Sequence, residues 1–313
     1  MRYFSRIQFI NLTQWKYSCE DNTITTEYLT PFWNSLLCYV PTWVSPNVIT
    51  LLGLVHIIIA LWIAENIYSP IFIPIICFLL FMSLTLDALD GKQARRMNRS
   101  SPLGELLDHV VDSFSLQLVI RISQIIFEVK NDMLHYYYIG AALAFTCTHY
   151  EAMIKKRVIF HRYAGPNEFY FLIFALYHLH HLVGIGHLLD STFIASLFFI
   201  APFLRLCYIF HSTDINWITS ITKTFWIITF IYVGAVYLSP LFNLNYINYA
   251  CAFSILNNEL IISKMSRSVM KYKLVLFVLG NLIMRAHYAV VFFLIYVVIV
   301  FGELKMRLKI NFF

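Results

Sequence analysis

Charge is what this sequence has least of. Of 313 residues only 13% are Asp, Glu, Lys or Arg, against 59% hydrophobic and 17% aromatic, and the mean hydropathy is +0.68. A soluble domain carries about 25% charged residues, so this chain cannot cover a folded surface with wetted side chains. The same numbers exclude intrinsic disorder and collagen-like repeats. The six cysteines, Cys19, Cys38, Cys77, Cys147, Cys207 and Cys251, include no CxxC pair and no framework spacing. Most lie in apolar runs, where Cys acts as a small hydrophobe, which argues against a disulfide scaffold or a zinc site. Also missing are an internal repeat, a low-complexity segment and a cleavable signal peptide: Arg2, Arg6, Lys16, Glu20 and Asp21 interrupt the first thirty residues. The net charge of +6 is modest and, with no soluble basic domain, does not argue for nucleic acid. What remains is a polytopic membrane protein.

A hydrocarbon core about 30 Å thick takes about 20 apolar residues in helix. Runs of that length stand at about 47–68, 70–89, 103–127, 135–153, 168–189, 191–210, 215–238 and 242–263. The stretch 272–304 is too long for one span, and Arg285, Ala286 and His287 in its middle predict a tight hairpin of two helices. The expected fold is therefore all-α, with about ten transmembrane helices. Residues 31–44 are too short to span and mix Trp33, Tyr39 and Trp43 with polar residues, which predicts a short N-terminal helix lying in the interface. Positive charge falls in alternate connections: Lys92, Arg95, Arg96 and Arg99; then Lys155, Lys156, Arg157 and Arg162; then Lys264, Arg267, Lys271 and Lys273. The others carry little: Glu65; Glu128, Lys130 and Asp132; Asp190. Lys/Arg-rich short loops stay cytoplasmic, and Lys305, Arg307 and Lys309 place the C-terminus there too, which requires an even number of spans. The expected organisation is a cytoplasmic or interfacial segment over 1–46, catalytic helices over 47–210 and C-terminal transmembrane helices over 211–313.

Ionisable groups in a membrane are costly and are functional candidates by default. One stretch concentrates them: Asp87, Asp90, Asp108 and Asp112, with Glu105 and His109, inside residues 87–112. Asp87 and Asp90 are spaced i, i+3 and Asp108 and Asp112 i, i+4, so each pair shares a helical face. Between them Ser100-Ser101-Pro102 reads as a helix start, with Ser101 as N-cap and Pro102 at the first helical position. A short connection makes an antiparallel hairpin and brings both pairs to similar depth. Four carboxylates converging in a low-dielectric place cannot all ionise without cations. Hard divalent ions, Mg²⁺ or Mn²⁺, fit all-oxygen ligands, and two of them about 3.5–4 Å apart form a clamp for displacement at phosphorus.

The string from Asp87 to Asp112 reads D-x-x-D-G-x-x-A-R-x8-G-x-x-x-D-x-x-x-D. It resembles the signature of the CDP-alcohol phosphatidyltransferase family. DALDGKQARR followed by SSPLGELLDH resembles its eukaryotic cholinephosphotransferase and ethanolaminephosphotransferase branch, as do Trp15-Lys16-Tyr17, Pro31-Phe32-Trp33, Ser45-Pro46-Asn47 through Gly53, and Met265-Ser266-Arg267-Ser268. The likeness touches most of the chain but is dense only over about residues 31–112. It implies transfer of phosphocholine or phosphoethanolamine from CDP-choline or CDP-ethanolamine to diacylglycerol, releasing CMP. It also implies a multi-pass protein of the endoplasmic reticulum or Golgi with its site facing the cytosol, and a homodimer as the family habit. Asp87, Asp90, Asp108 and Asp112 would hold two Mg²⁺ around the donor diphosphate. Gly91, Ala94 and Gly104 would leave room for the nucleotide, Arg95 would meet a phosphate, and Asn47 would offer a donor and an acceptor. The acceptor alcohol needs a base; His109 titrates near neutrality, and Glu105 on the same stripe is expected to orient its ring. Asp112 is the alternative base.

Two other readings stay open. One is a related enzyme on the same site, such as an inositol phosphotransferase using CDP-diacylglycerol. The other is a transporter, which would spread acids through the midplane, often with inverted repeats. His178, His180, His181 and His187 sit on an apolar, aromatic span with scattered phases and read as packing residues rather than a metal tract. Arg121, Glu151, Arg205 and Glu259 fall in or at the ends of spans without an assigned role.

Overall fold

The computed structural model describes residues 3–163, 165–189, 191–212, 218–242, 244–268, 270 and 273–310. Asp190 and Lys271 lie outside the described residues, as do the side chains of Asp132 and Lys273. The chain runs α1 (Arg6–Thr13), β1 (Cys19–Asp21), α2 (Ile24–Leu37), α3 (Pro46–Asn66), α4 (Ile73–Arg96), α5 (Pro102–Phe127), α6 (Asn131–Lys155), β2 (Val158–Phe160), α7 (Pro166–Val183), α8 (Gly186–Leu189), α9 (Thr192–His211), α10 (Ile218–Phe242), α11 (Tyr246–Ser266), α12 (Lys273–Ile283) and α13 (Ala286–Leu308).

Every apolar run read from the sequence coincides with a helix, α3 through α7 and α9 through α11, and the final stretch divides into α12 and α13 with Arg285 as the N-cap of the second. Among the described residues, five helical segments are long and apolar enough to cross a membrane: Pro46–Asn66, Pro70–Arg96, Pro102–Phe127, Phe193–His211 and Ala286–Leu308. The protein is an all-α polytopic membrane protein. Other helices are short, as α12 is with 11 residues, or are diluted by polar side chains. In α11 those are Asn248, Ser254, Asn257, Asn258, Glu259 and Lys264, and every residue from Asn248 to Ser266 is buried. This helix lies at the centre of the bundle, packed on α5, α6, α12 and α13. Its rings continue into its neighbours: Tyr138 stacks on Tyr249 with centroids 5.1 Å apart, and Tyr232 on Phe253 at 4.9 Å. Where bare helix faces meet, glycine allows it: a Cβ on Gly140 of α6 would stand 2.4 Å from the carbonyl oxygen of Phe198 on α9.

The N-terminal segment departs from expectation. The helix predicted over 31–44 is α2, which starts at Ile24, stops at Leu37 and gives way to turns. Tyr39 and Trp43 are exposed, but Trp33 is buried against Ile49, Leu84 and Leu89, because α2 packs on α4 and turns this ring inward. The end of α4 is clamped to the same segment. Lys92 donates to Asn34 Oδ1, Gln93 to the carbonyls of Pro41 and Val44, and Arg96 to those of Leu37 and Val40. Ahead of α2, β1 pairs in parallel with β2 in the connection after α6, Cys19 opposite Val158, and Arg157 reaches Glu20 at 2.9 Å.

Candidate active site

The connection between α4 and α5 forms as the sequence requires. Ser101 caps α5 by accepting from the Gly104 backbone N–H at 3.1 Å, and Pro102 occupies the first turn, where no N–H is needed. The hairpin sets the end of α4 beside the start of α5, and the ligand atoms of Asp87, Asp90 and Asp108 lie within 4.8 Å of one another. Asp112, one turn on from Asp108, comes within hydrogen-bonding reach of Asp87. Helix α3 supplies a support that sequence reasoning missed: Thr50 Oγ1 donates to Asp90 Oδ2 at 2.5 Å. Thr50 follows Asn47 by three residues, so the signal was a second polar residue on the face of α3 that meets the acids.

The donor set fits a hard divalent cation. It is all carboxylate oxygen, and Asp108 Oδ1 is buried with no hydrogen-bond partner. Asp90 is buried, whereas the Asp108 side chain keeps 29% of its exposure, so the cluster has a closed floor and an open side. No other group of three or more His, Cys, Asp or Glu converges in this way among the described residues. On α7 and α8, His178 and His187 bond the carbonyls of Phe174 and Gly184, and His180 Nδ1 accepts from the Gly186 N–H.

Around the acids the remaining expected residues assemble with two changes. A Cβ on Gly104 would meet Asn47 Oδ1 at 3.7 Å, which puts Asn47 at the start of α5. A Cβ on Gly91 would meet the Arg95 guanidinium at 3.4 Å, so this glycine makes room for Arg95 to lie along its own helix. Ala94, on the same turn, is half-buried. The larger change concerns Glu105. Its carboxylate was expected to orient His109, but His109 Nδ1 is held by the backbone carbonyl of Glu105 at 2.7 Å. The carboxylate instead pairs with Lys264 of α11. The carbonyl one turn back already lies beneath the ring, while the carboxylate finds a full positive charge across the helix interface. A carbonyl can only accept, so Nδ1 carries the hydrogen and Nε2 keeps the lone pair of the neutral ring. His109 is buried and meets His149 of α6 edge to face with centroids 4.8 Å apart.

Two more groups reach the site from outside α3–α6. Tyr17 interacts with Asp108 and Glu105 and hydrogen-bonds Cys19, and Cys19 interacts with Lys264 and Arg95. Tyr17 as a whole is 42% exposed. Partial burial pushes the phenol above its ordinary range, and the Cys19 thiol as well. The β1–β2 pairing carries them there. Trp15-Lys16-Tyr17 carried part of the family resemblance, but nothing in its spacing pointed at the acids. Of the span charges left without a role, Arg121 pairs with Glu65 at 2.9 Å, Arg205 and Lys155 both bond Glu151, and Glu259 accepts from Tyr3 and Tyr296.

Residues 43–202, just over half the chain, match the family model of the CDP-alcohol phosphatidyltransferases. Over 176 residues the chain is 30% identical to the uncharacterized CDP-alcohol phosphatidyltransferase class-I family protein 2 of Dictyostelium discoideum, covering 53% of this chain and 43% of that one. It is 37% identical over 127 residues to ethanolaminephosphotransferase 1 of Homo sapiens (36% of this chain, 32% of the relative). It is 41% identical over 123 residues to cholinephosphotransferase 1 of Gallus gallus (37% of each). These matches thus span 32% to 43% of the relatives' lengths. The signature acids, the helical hairpin that gathers them and the matched region coincide, and the chain belongs to the CDP-alcohol phosphatidyltransferase family of membrane-embedded transferases of phosphate-containing groups.

Proposed function

We propose that this protein transfers phosphocholine or phosphoethanolamine from CDP-choline or CDP-ethanolamine to the free hydroxyl of diacylglycerol, giving phosphatidylcholine or phosphatidylethanolamine and CMP. The observation that carries this reading is the convergence of Asp87, Asp90 and Asp108 beside a histidine whose Nδ1 is committed to a carbonyl. Relatives named as ethanolamine- and cholinephosphotransferases support the choice of alcohol.

The acids, with Asp112, would hold one or two Mg²⁺ or Mn²⁺ ions, whose chemistry when bound is to neutralise the donor diphosphate. Thr50 fixes Asp90 in place, and Asn47 and Arg95 border the acids where the nucleotide would lie. The diacylglycerol oxygen bonds to the phosphorus that bears the amino alcohol. The bond from that phosphorus to the bridging oxygen breaks, and the oxygen leaves on CMP. The hydroxyl proton passes to His109 Nε2, the free lone pair of a buried neutral imidazole. Asp112 is a weaker choice of base because it is committed to the acidic cluster.

The site sits at the basic end of the bundle, and the cytosolic face of the endoplasmic reticulum or Golgi suits it. Cys19 interacts with Arg95 at the end of α4 and with Lys264 at the end of α11, while β1 joins the connection after α6 that contains Lys155, Lys156 and Arg157. Three Lys/Arg-rich connections thus share one side, the pattern of a cytosolic face. The test uses purified protein in detergent with diacylglycerol and Mg²⁺, offered labelled CDP-choline, CDP-ethanolamine, or CDP-diacylglycerol with inositol. CMP release from either of the first two, with the matching phospholipid formed, is the expected result. Turnover only with the third donor replaces this reading by inositol transfer, and no CMP release from any donor overturns it.

A further inference from the structure

One cluster of buried ionisable groups next to the acids has no part in the transfer as just described. Lys264 stands near the C-terminal end of α11 with its side chain 7% exposed, and its Nζ donates to Oε1 of Glu105, whose side chain is 1% exposed. The second carboxylate oxygen, Oε2, is buried without a partner. Lys264 interacts electrostatically with both His109 and His149. Helix α11 lies outside the residues 43–202 that match the family model, so this contact joins the C-terminal helices to the site.

We propose that Lys264 is a positioning residue for the transfer. By holding Glu105 it keeps that carboxylate off the imidazole, so that His109 stays bound through the Glu105 carbonyl and presents Nε2 as the proton acceptor. The argument is one of competition for a single hydrogen. A glutamate four residues before a histidine on the same helix face is within reach of its ring, and a carboxylate is a stronger acceptor for the Nδ1 hydrogen than a neutral carbonyl. With a full positive charge alongside, the carboxylate is satisfied elsewhere and the ring keeps its orientation. A buried carboxylate deprived of that charge is uncompensated and its nearest alternative donor is the imidazole. The ring would then be pulled from its seat, and Nε2 would turn away from the position the carbonyl contact gives it. Lys264 thus governs the base through Glu105 and touches neither donor nor acceptor lipid.

This inference rests on His109 as the base in the proposed reaction. The test measures kcat, the KM for whichever CDP-alcohol the wild type turns over, and thermal unfolding of the full-length protein in detergent. The variants are Lys264→Met, Lys264→Arg, Glu105→Gln and the double variant Lys264→Met/Glu105→Gln. Lys264→Met is expected to lower kcat about 10- to 100-fold, within the range of general-base contributions, with the donor KM changed less than threefold. Lys264→Arg is expected to recover most of the loss. The double variant should turn over no more slowly than Glu105→Gln alone, because removing Lys264 matters only while the carboxylate is present. A kcat within twofold of wild type in folded Lys264→Met overturns the proposal. So does a loss confined to donor KM and additive with Glu105→Gln, which would make Lys264 a direct substrate contact. Should Lys264→Met fail to fold, the comparison of the double variant with Glu105→Gln decides: equal rates support the proposal, and a tenfold slower double overturns it. A wild type that releases no CMP from any donor would instead overturn the proposed function itself.

Discussion

The hydroxyl of Thr50 offers a clean perturbation of the acidic cluster. It is one donor with two acceptors in range, the Pro46 carbonyl at 3.2 Å and Asp90 Oδ2 at 2.5 Å, and the shorter contact, to the carboxylate, takes the hydrogen. Both Thr50 and Asp90 are buried, so water does not replace the bond when it is lost. Thr50→Val keeps the shape of the side chain and removes only the donor. A hydrogen bond to a charged group contributes about 1.5–3 kcal/mol, and at about 1.36 kcal/mol per decade this is about 10- to 150-fold in affinity. The loss should fall on whatever Asp90 helps to hold. The assay is CMP release as a function of Mg²⁺ concentration: the half-saturating concentration should rise by about that factor, with most of kcat recovered at saturating metal. Thr50→Ser, which restores the donor, should return it to near the wild-type value. A Thr50→Val protein with normal kcat and a Mg²⁺ midpoint within twofold of wild type would refute the reasoning, since Asp90 would then be no ligand or need no support.

Three further outcomes follow from the same geometry. His109→Ala should lower kcat by about 10²–10⁴-fold while Mg²⁺ and CDP-alcohol binding persist; more than about a tenth of wild-type activity would remove His109 as the base. Asp87→Asn and Asp108→Asn should each weaken Mg²⁺ dependence and donor affinity together, and unchanged Mg²⁺ titrations in both would argue against a shared metal site. Gly140→Ala places a Cβ 2.4 Å from a backbone oxygen of α9, which no rotamer relieves. It should cost about 1–3 kcal/mol, the range for overpacking, read as a lower unfolding temperature with normal activity in the folded fraction.

The spans were legible because apolar length is a local property, and each run from 47 onward needed only its own composition to be placed. The hairpin at Arg285 and the Ser101 cap were readable for the same reason, as were the i, i+3 and i, i+4 aspartates. The misreadings of Glu105, Lys264 and Trp33 involve partners distant in sequence. Helical spacing correctly put Glu105 near His109, but it could not register a lysine 159 residues away that claims the carboxylate. Lys264 itself looked like an ordinary loop charge, one of several near a span end. Trp33 looked interfacial because its neighbours are polar, and only the packing of α2 on α4 turns it inward. Two strands of three residues leave no periodicity to detect, so the path that carries Tyr17 to the acids was invisible.

The polar character of α11 bears on how the chain enters the bilayer in the first place. On insertion scales each charged residue costs about 2.5–3.5 kcal/mol at the centre of a solitary helix and less toward its ends, and α11 presents Glu259, Lys264 and three asparagines with little lipid-facing surface to offset them. Alone in hydrocarbon it would be a poor span. Its partners are all supplied by other helices or by the N-terminal segment: Glu105 and Ser113 on α5, Thr146 on α6, Tyr296 on α13, and Tyr3. The earlier helices must therefore wait, loosely associated, to receive α11 as it leaves the insertion machinery. During synthesis the helical hairpin that carries the acids is made before α11, so the acids stand in the bilayer before the buried Lys264–Glu105 pair can close beside them.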